Sequence, residues 1–299
     1  MRNCFQLDRQ FSAFEHFFEH YFEHIYEVTY SRAEKLSHHI VDMGKIKIIN
    51  YDELIDDDLK LHYRNDNPIT VQHPGRCILV GKSGAGKSNL LLNLLLTKDT
   101  KITYNRVYMI VKDLTEDKTK YLQKCFSDVQ AKILKKTGEN IEIFTLSDKM
   151  EDIPNLDDSL DKGLQNLLIL DDLIVEKKQT RVEEYFIRSR KKNCTCIYLT
   201  QSYFRVPKII RDNTDYLFLF SIPNRRELTN LYVTLGDSFD SQRTFNQVVR
   251  ESTKQKNFMM IDMKTNIPKM RFRKGFDEGW IISDPSDEVQ EKPYLEEIP

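Results

Sequence analysis

One eight-residue segment combines glycines, a lysine and a serine at a spacing that suits phosphate binding. It consists of Gly81, Lys82, Ser83, Gly84, Ala85, Gly86, Lys87 and Ser88, and it matches the pattern GxxxxGK[ST]. The segment follows an apolar run of strand length and precedes a leucine-rich run of helix length, which is the context that a phosphate-binding loop requires. In such a loop the backbone N–H groups surround phosphate, Lys87 reaches the β- and γ-phosphates, and the Ser88 hydroxyl binds Mg²⁺. The segment therefore predicts a site for a nucleoside triphosphate with Mg²⁺.

Two aspartates, Asp171 and Asp172, follow a second apolar run directly. At the end of a buried strand, Asp171 can hold Mg²⁺ through water, and Asp172 can orient or deprotonate the attacking water. An apolar run that ends in aspartate is common, and alone it suits a helix cap equally well. Together with the phosphate-binding loop, the pair predicts hydrolysis of the bound nucleotide.

Two further polar positions carry weaker signals. Gln201 ends a third apolar run, at the carboxyl edge of the expected sheet, where ligands of open α/β folds bind. An amide there can sense a γ-phosphate, but it serves equally well as a cap or turn residue. Arg190 lies in a cationic segment, residues 188–192, that leads into the same run. Such segments usually sit at solvated helix ends, where they compensate the helix dipole.

Apolar runs of strand length alternate with helix-length segments from about Gly75 onward. Runs that are apolar throughout suit strands covered on both faces, and the longer segments between them suit crossover helices. Strands are predicted at residues 76–80, 106–111, 141–145, 167–170, 195–200 and 216–220, helices at 89–96, 117–136, 181–191 and 225–235, and a hairpin at 258–262 and 270–273. The pattern predicts an α/β fold with a mostly parallel central sheet flanked by helices.

Three regions are predicted along the chain. Residues 1–42 form an amphipathic helical extension, because a repeat of Phe, Glu and His gives an aromatic stripe beside a polar one. His16, His20 and His24 share the polar stripe; they could ligate a metal, although histidines beside glutamates are usually only solvated. Residues 43–276 form the nucleotide-binding domain, and residues 277–299 form an acidic tail.

Charge and composition narrow the class of protein. The 299 residues include 45 Lys or Arg and 46 Asp or Glu, so the net charge of −1 favours neither a nucleic acid nor a membrane as partner. Residues 186–274, however, hold eighteen Lys or Arg against seven Asp or Glu. Five scattered cysteines predict reduced thiols inside a cell, and no apolar run is long enough for a membrane helix or suits a signal peptide.

The order of these motifs resembles the FtsK-HerA superfamily of DNA-pumping ATPases, and within it the genome-packaging ATPases of large double-stranded DNA viruses, virophages and Polinton-type elements. The resemblance covers about residues 70 to 280, and its most specific part is IYLTQSYFRVPKIIRDN at residues 197–213. It implies a RecA-like fold, ATP and Mg²⁺ as cofactors, and a homo-oligomeric ring, a hexamer or pentamer. It also implies that Gln201 is the sensor and that Arg190, or alternatively Arg188, is a finger reaching a neighbouring subunit's nucleotide.

The motifs are compatible with three functions. The first is an ATP-hydrolysing motor that translocates double-stranded DNA into a capsid, in the host cytoplasm or nucleus or in association with the virion. Its basic region would contact DNA phosphates without reading sequence, and a capsid or vertex protein would be a further partner. The second is another P-loop enzyme, such as a nucleotide or small-molecule kinase, and the third is a nucleotide-dependent scaffold that docks on a capsid. Candidates for DNA contact in the first case are Arg205, Lys208, Arg211, Arg225 and Arg226.

Overall fold

The computed structural model describes residue 67 and residues 69–282, apart from residues 159, 162 and 174–178. The predicted extension of residues 1–42, with His16, His20 and His24, lies outside the described residues. Most of the predicted acidic tail also lies outside them. The boundaries of the three predicted regions therefore stay predictions.

A nine-stranded sheet forms the centre of the described region. Its strands are β1 (Arg76–Val80), β2 (Arg106–Val111), β3 (Phe144–Ser147), β4 (Asn166–Asp171), β5 (Cys194–Thr200), β6 (Tyr216–Leu219), β7 (Met259–Asp262), β8 (Phe272–Lys274) and β9 (Glu278–Gly279). They lie in the order β3-β2-β4-β5-β1-β6-β7-β8-β9. Strands β1 to β6 are parallel, whereas β7, β8 and β9 extend the sheet antiparallel. The prediction of a mostly parallel sheet is confirmed.

Helices cover both faces of this sheet. They are α1 (Lys87–Leu96), α2 (Asp117–Thr137), α3 (Thr180–Arg188), α4 (Lys208–Asp212), α5 (Arg225–Leu235), α6 (Gln242–Ser252) and the single turn α7 (Pro268–Arg271). Leucines of α1 and α2 pack in one core, and apolar residues of α3, α4, α5 and α6 pack in a second core on the other face. Alternate residues of β1, β4 and β5 point into the two cores, which is why the middle of each of these strands is apolar on both faces.

Several elements differ from the sequence prediction. Strand β3 begins at Phe144 rather than Ile141, whose side chain is 41% exposed. Helix α3 ends at Arg188 and is followed by a 3₁₀ turn (Ser189–Lys192), which Asn193 ends in a left-handed conformation before β5. Helices α4 and α6 were not predicted. The β7–β8 hairpin is confirmed, but its second strand begins at Phe272 rather than residue 270, because residues 268–271 form α7. Strand β9 extends the sheet beyond residue 276. Within the part of the chain described, no helix has the length and apolarity needed to span a bilayer.

Candidate active site

The phosphate-binding loop joins the end of β1 to the start of α1. The Gly81 N–H donates to the Thr200 carbonyl (3.1 Å), which ties the loop to the end of β5. A Cβ atom at Gly81 would lie 2.7 Å from the Phe220 Cβ. Gly86 has φ 121°, and a Cβ there would also lie 3.0 Å from the Phe220 ring. Larger side chains are thus excluded at both positions because the loop packs closely against Phe220.

The N-terminus of α1 carries the electrostatic features of an anion site. No side chain caps this end, and its first turn contains no acidic residue. The backbone N–H groups and the positive end of the helix dipole therefore remain available to an anion. Lys87, the first residue of α1, donates from Nζ to the Gly81 carbonyl (2.7 Å) and the Lys82 carbonyl (3.3 Å). Burial lowers the pKa of Lys87, and the negative charges of Asp171 and Asp172 oppose that shift.

Asp171 ends β4, and Asp172 begins the loop after it. Burial raises the pKa of Asp171 to about 6, and the charges of Glu116 and Asp172 add to the rise while Lys87 opposes it. Asp172 has φ 55°, a left-handed conformation that aspartate tolerates better than most residues, and its N–H donates to the Leu199 carbonyl (3.1 Å). This backbone turn places two successive carboxylates at one edge of the sheet.

Gln201 follows β5, the strand that lies between β1 and β4. Its Nε2 donates to Asp172 Oδ2 (3.1 Å). The side chain is therefore positioned between the phosphate-binding loop and the two aspartates by the strand order. This position supports the sensor interpretation more than that of a simple turn residue, because the amide contacts a carboxylate of the site.

These side chains line one cavity of about 380 Å³. Five predicted site residues meet there, namely Lys87, Ser88, Asp171, Asp172 and Gln201, together with Ser83, Gly84 and Gly86 of the loop. Gly81, Lys82 and Ala85 complete the loop without lining the cavity. A partly buried carboxylate and a hydroxyl line this cavity, and oxygen ligands of these two kinds suit a hard divalent cation. Asp171 and Ser88 would hold Mg²⁺ in this arrangement.

Four further residues line the cavity, and the sequence alone indicated none of them: Asn89, Glu116, Lys118 and Lys256. Glu116 precedes α2, in the loop after β2, and β2 is the neighbour of β4 in the sheet. Its charge adds to the rise in the pKa of Asp171 and opposes the fall in the pKa of Lys87. Asp171 comes directly after an apolar run, whereas Glu116 lies five residues beyond Val111, so the same sequence signal does not identify it.

Arg190 does not join this cavity. It precedes β5, whereas Gln201 follows that strand, so about 20 Å of β5 separates them. Arg190 Nη1 lies 3.9 Å from Asp215 Oδ1, and its side chain is 35% exposed. Asp215 is buried and forms a paired salt bridge with Arg76. Arg190 thus lies at the amino ends of the parallel strands, whereas the phosphate-binding loop lies at their carboxyl ends.

Arg188, the alternative finger, is engaged within the chain. Its Nη2 donates to Asp157 Oδ1 (2.8 Å), and its Nη1 pairs with Glu184 one helical turn earlier. These two carboxylates raise the pKa of Arg188. Both arginines therefore have partners within the chain, Arg188 with Asp157 and Glu184 and Arg190 with Asp215.

Three of the five candidate DNA contacts are exposed at the edge that carries the phosphate-binding loop. Arg205 lies in the turn after β5, and Arg225 and Arg226 begin α5 after β6. Because β5 and β6 are both parallel to β1, these three cations follow the same ends of their strands as the loop does. They could contact an anionic polymer that passes this edge.

The other two candidates have structural contacts. Lys208 forms an ion pair with Asp212 (2.6 Å) across one turn of α4. The Arg211 guanidinium stacks over the rings of Tyr203 and Phe204, at 5.3 and 5.2 Å from their centroids. Arg211 therefore helps to pack α4 against the turn after β5.

Comparisons with known proteins give matches of three kinds. A curated relative, uncharacterized protein 075L of Invertebrate iridescent virus 6, is 27% identical over 203 residues, which cover 67% of this chain and 74% of that protein. The genome packaging NTPase B204 of Sulfolobus turreted icosahedral virus 2, solved with ATP-gammaS, is 16% identical with a TM-score of 0.44, over 65% of this chain and 94% of that one. VirB4 of Thermoanaerobacter pseudethanolicus is 12% identical with a TM-score of 0.40, over 64% and 87% respectively. The family described as Poxvirus A32 protein matches residues 62–265, which is more than half of the sequence, and the chain belongs to that family.

Proposed function

We propose that this protein is an ATPase motor that packages a viral double-stranded DNA genome into a capsid. The observation that carries the proposal is the convergence of Lys87, Asp171, Asp172 and Gln201 on one cavity at the N-terminus of α1. Membership of the Poxvirus A32 family supports a viral role. The relative B204 is named as a genome packaging NTPase, and it was solved with ATP analogues.

Each side chain has a role that its position supports. The loop backbone and Lys87 bind the β- and γ-phosphates, and bound Mg²⁺, held by Ser88 and Asp171, would neutralise phosphate charge. Asp172 accepts a proton from the attacking water or orients that water. Gln201, hydrogen-bonded to Asp172, holds this carboxylate in place and senses the γ-phosphate.

Coupling to DNA requires a ring in the proposed mechanism. Arg190 lies too far from its own phosphate-binding loop to act there, so it would act on the nucleotide of a neighbouring subunit. Arg205, Arg225 and Arg226 would contact DNA phosphates, which carry no sequence information. The ring would work inside the infected cell, in the cytoplasm or the nucleus, during virus assembly.

ATP hydrolysis by the purified protein, with and without long duplex DNA, tests the proposal. We expect DNA to stimulate turnover, and we expect Lys87→Ala to abolish turnover under both conditions. Lys135→Ala, a matched change in the exposed last turn of α2, should leave turnover unchanged. Phosphorylation of a small acceptor with indifference to DNA would support a kinase instead, and the absence of hydrolysis under all conditions would support a scaffold.

A further inference from the structure

A second cavity, of about 600 Å³, adjoins the active-site cavity on the other side of the phosphate-binding loop. The two cavities share Gly86, Asn89 and Lys256. The second cavity is lined on its far side by aromatic residues that follow β6, precede β7 and follow β8, including Phe220, Phe258 and Phe276. Its position is set by the sheet, because β6, β7 and β8 lie on one side of β1 while β5 and β4 lie on the other.

The strand order fixes the direction in which a nucleotide would extend. Asp171, Asp172 and Gln201 all lie on the β4–β5 side of the loop, so the terminal phosphate must point to that side for hydrolysis to occur. A linear phosphate chain held at the N-terminus of α1 then directs its other end toward β6. The nucleoside end would then enter the second cavity past Gly86 and Asn89, two of the residues that both cavities share.

The aromatic wall of the second cavity suits a nucleobase. The rings of Phe258 and Phe276 lie 5.1 Å apart at 73°, and those of Phe220 and Phe258 lie 5.8 Å apart. Phe220 is buried, whereas Phe258 and Phe276 are only partly buried and retain exposed ring surface. Exposed aromatic surface beside a phosphate site favours stacking with a base. Asn257, next to Phe258, uses its Oδ1 to accept the Phe258 N–H (2.8 Å), and its amide hydrogens can donate to a base.

The segment of residues 253–257, which we name the strap, borders both cavities. Two consecutive non-glycine residues of the strap are left-handed, Gln255 with φ 54° and Lys256 with φ 62°. Such a pair is unfavourable in isolation and persists where surrounding structure enforces it, often at ligand clamps. The Lys256 carbonyl comes within 3.4 Å of where a Gly86 Cβ would lie, so the strap approaches the phosphate-binding loop closely.

We propose that the second cavity binds the nucleoside half of ATP, with Phe258 and Phe276 stacking on the base and the strap closing over the junction with the phosphates. This assignment rests on the proposed function, because it takes the active-site cavity to be the phosphate site. Lys256 lines both cavities, at the junction where the α-phosphate would meet the ribose.

The test compares ADP with inorganic pyrophosphate, which has two phosphates and no nucleoside. Dissociation constants for both are measured by calorimetry on the full chain. In the wild type, ADP should bind at least roughly tenfold more tightly than pyrophosphate, the lower range of base stacking on aromatic side chains. Equal affinities would overturn the assignment without any variant being needed.

Variants then locate the nucleoside contact. Phe276→Leu should weaken ADP binding roughly tenfold and leave pyrophosphate binding unchanged. Phe144→Leu, the same change in a ring that lines neither cavity, controls for lost packing, and thermal unfolding checks that both variants fold. If Phe276→Leu folds and changes neither affinity, or changes both equally, the assignment is wrong.

Lys87→Ala distinguishes failure of the nucleoside assignment from failure of the proposed function. It should weaken both ADP and pyrophosphate, since it acts on the phosphates. If Lys87→Ala weakens both ligands and Phe276→Leu weakens neither, only the nucleoside site is refuted. If Lys87→Ala leaves both affinities unchanged, the phosphate site itself is refuted and the nucleoside site falls with it.

Discussion

Asp172→Asn separates chemistry from folding at the active site. The left-handed φ of 55° at this position is tolerated by asparagine as well as by aspartate, so the backbone should keep its course. An asparagine oxygen can still accept the 3.1 Å hydrogen bond from Gln201. Exchanging a charged acceptor for a neutral one in a partly exposed pair costs about 1 kcal/mol or less, and relief of repulsion with Asp171 opposes that cost. We therefore expect a Tm shift of no more than about 4 °C.

The catalytic effect of the same substitution should be far larger. Loss of a positioned general base lowers kcat by about 10²- to 10⁴-fold, equivalent to about 3–5 kcal/mol of transition-state stabilisation. ADP affinity should change little, because the group acts on water rather than on the nucleotide. The assay is steady-state ATP hydrolysis, with differential scanning fluorimetry and ADP titration on the same samples.

A matched control is Asp237→Asn, which changes an exposed aspartate that pairs with Arg271 away from the cavity. It should leave kcat unchanged. Wild-type turnover in Asp172→Asn would refute the assigned role of the carboxylate. A large loss of Tm together with lost turnover would show that Asp172 acts through the fold instead.

Three further predictions concern pH, the ring and DNA. The pKa of Asp171 is about 6 in the folded state and 3.8 in the unfolded state, so its ionisation lowers the free energy of unfolding by up to about 3 kcal/mol as pH rises from about 4 to 6. In EDTA, Asp171→Asn should therefore raise Tm at pH 7.5 and not at pH 3.5. Equal Tm shifts at both pH values would contradict this. Mixing Arg190→Ala subunits into wild-type rings should depress ATPase activity more than in proportion to their fraction, whereas Arg188→Ala subunits should act by simple dilution; dilution behaviour for Arg190→Ala would count against the finger. The double variant Arg225→Ala/Arg226→Ala should weaken binding to duplex DNA and reduce the slope of log affinity against log salt by about 2, and an unchanged slope would exclude both arginines as phosphate contacts.

Local patterns predicted most of the sheet and the phosphate-binding loop. Strands β1, β2, β4, β5 and β6 are mostly apolar because both faces are covered, and such runs are visible in sequence. Helix α5 begins at Arg225 as predicted, since Asn224 caps it by accepting the N–H groups of Arg226 and Glu227. Helix α6 was missed although Phe245, Val248 and Val249 have helical spacing and pack in one core.

What sequence could not supply is the order of the strands. That β5 lies between β1 and β4 is a tertiary fact, and it brings Gln201 to Asp172. The pairing of β2 with β4 likewise brings Glu116 to the cavity, and the strap reaches it from beyond α6. These residues are far apart in the chain, so no local pattern links them. The direction of β5 in the sheet, which places Arg190 at the amino ends of the strands, likewise cannot be derived from a local sequence pattern.

Displacement of a third strand tests whether ATP hydrolysis moves this protein along duplex DNA. A labelled triplex-forming oligonucleotide is placed near one end of a long linear duplex, and its release is followed after ATP is added. We expect ATP-dependent release by the wild type, and no release by Lys87→Ala or with a nonhydrolysable analogue. DNA-stimulated hydrolysis that leaves the third strand bound would contradict a motor function.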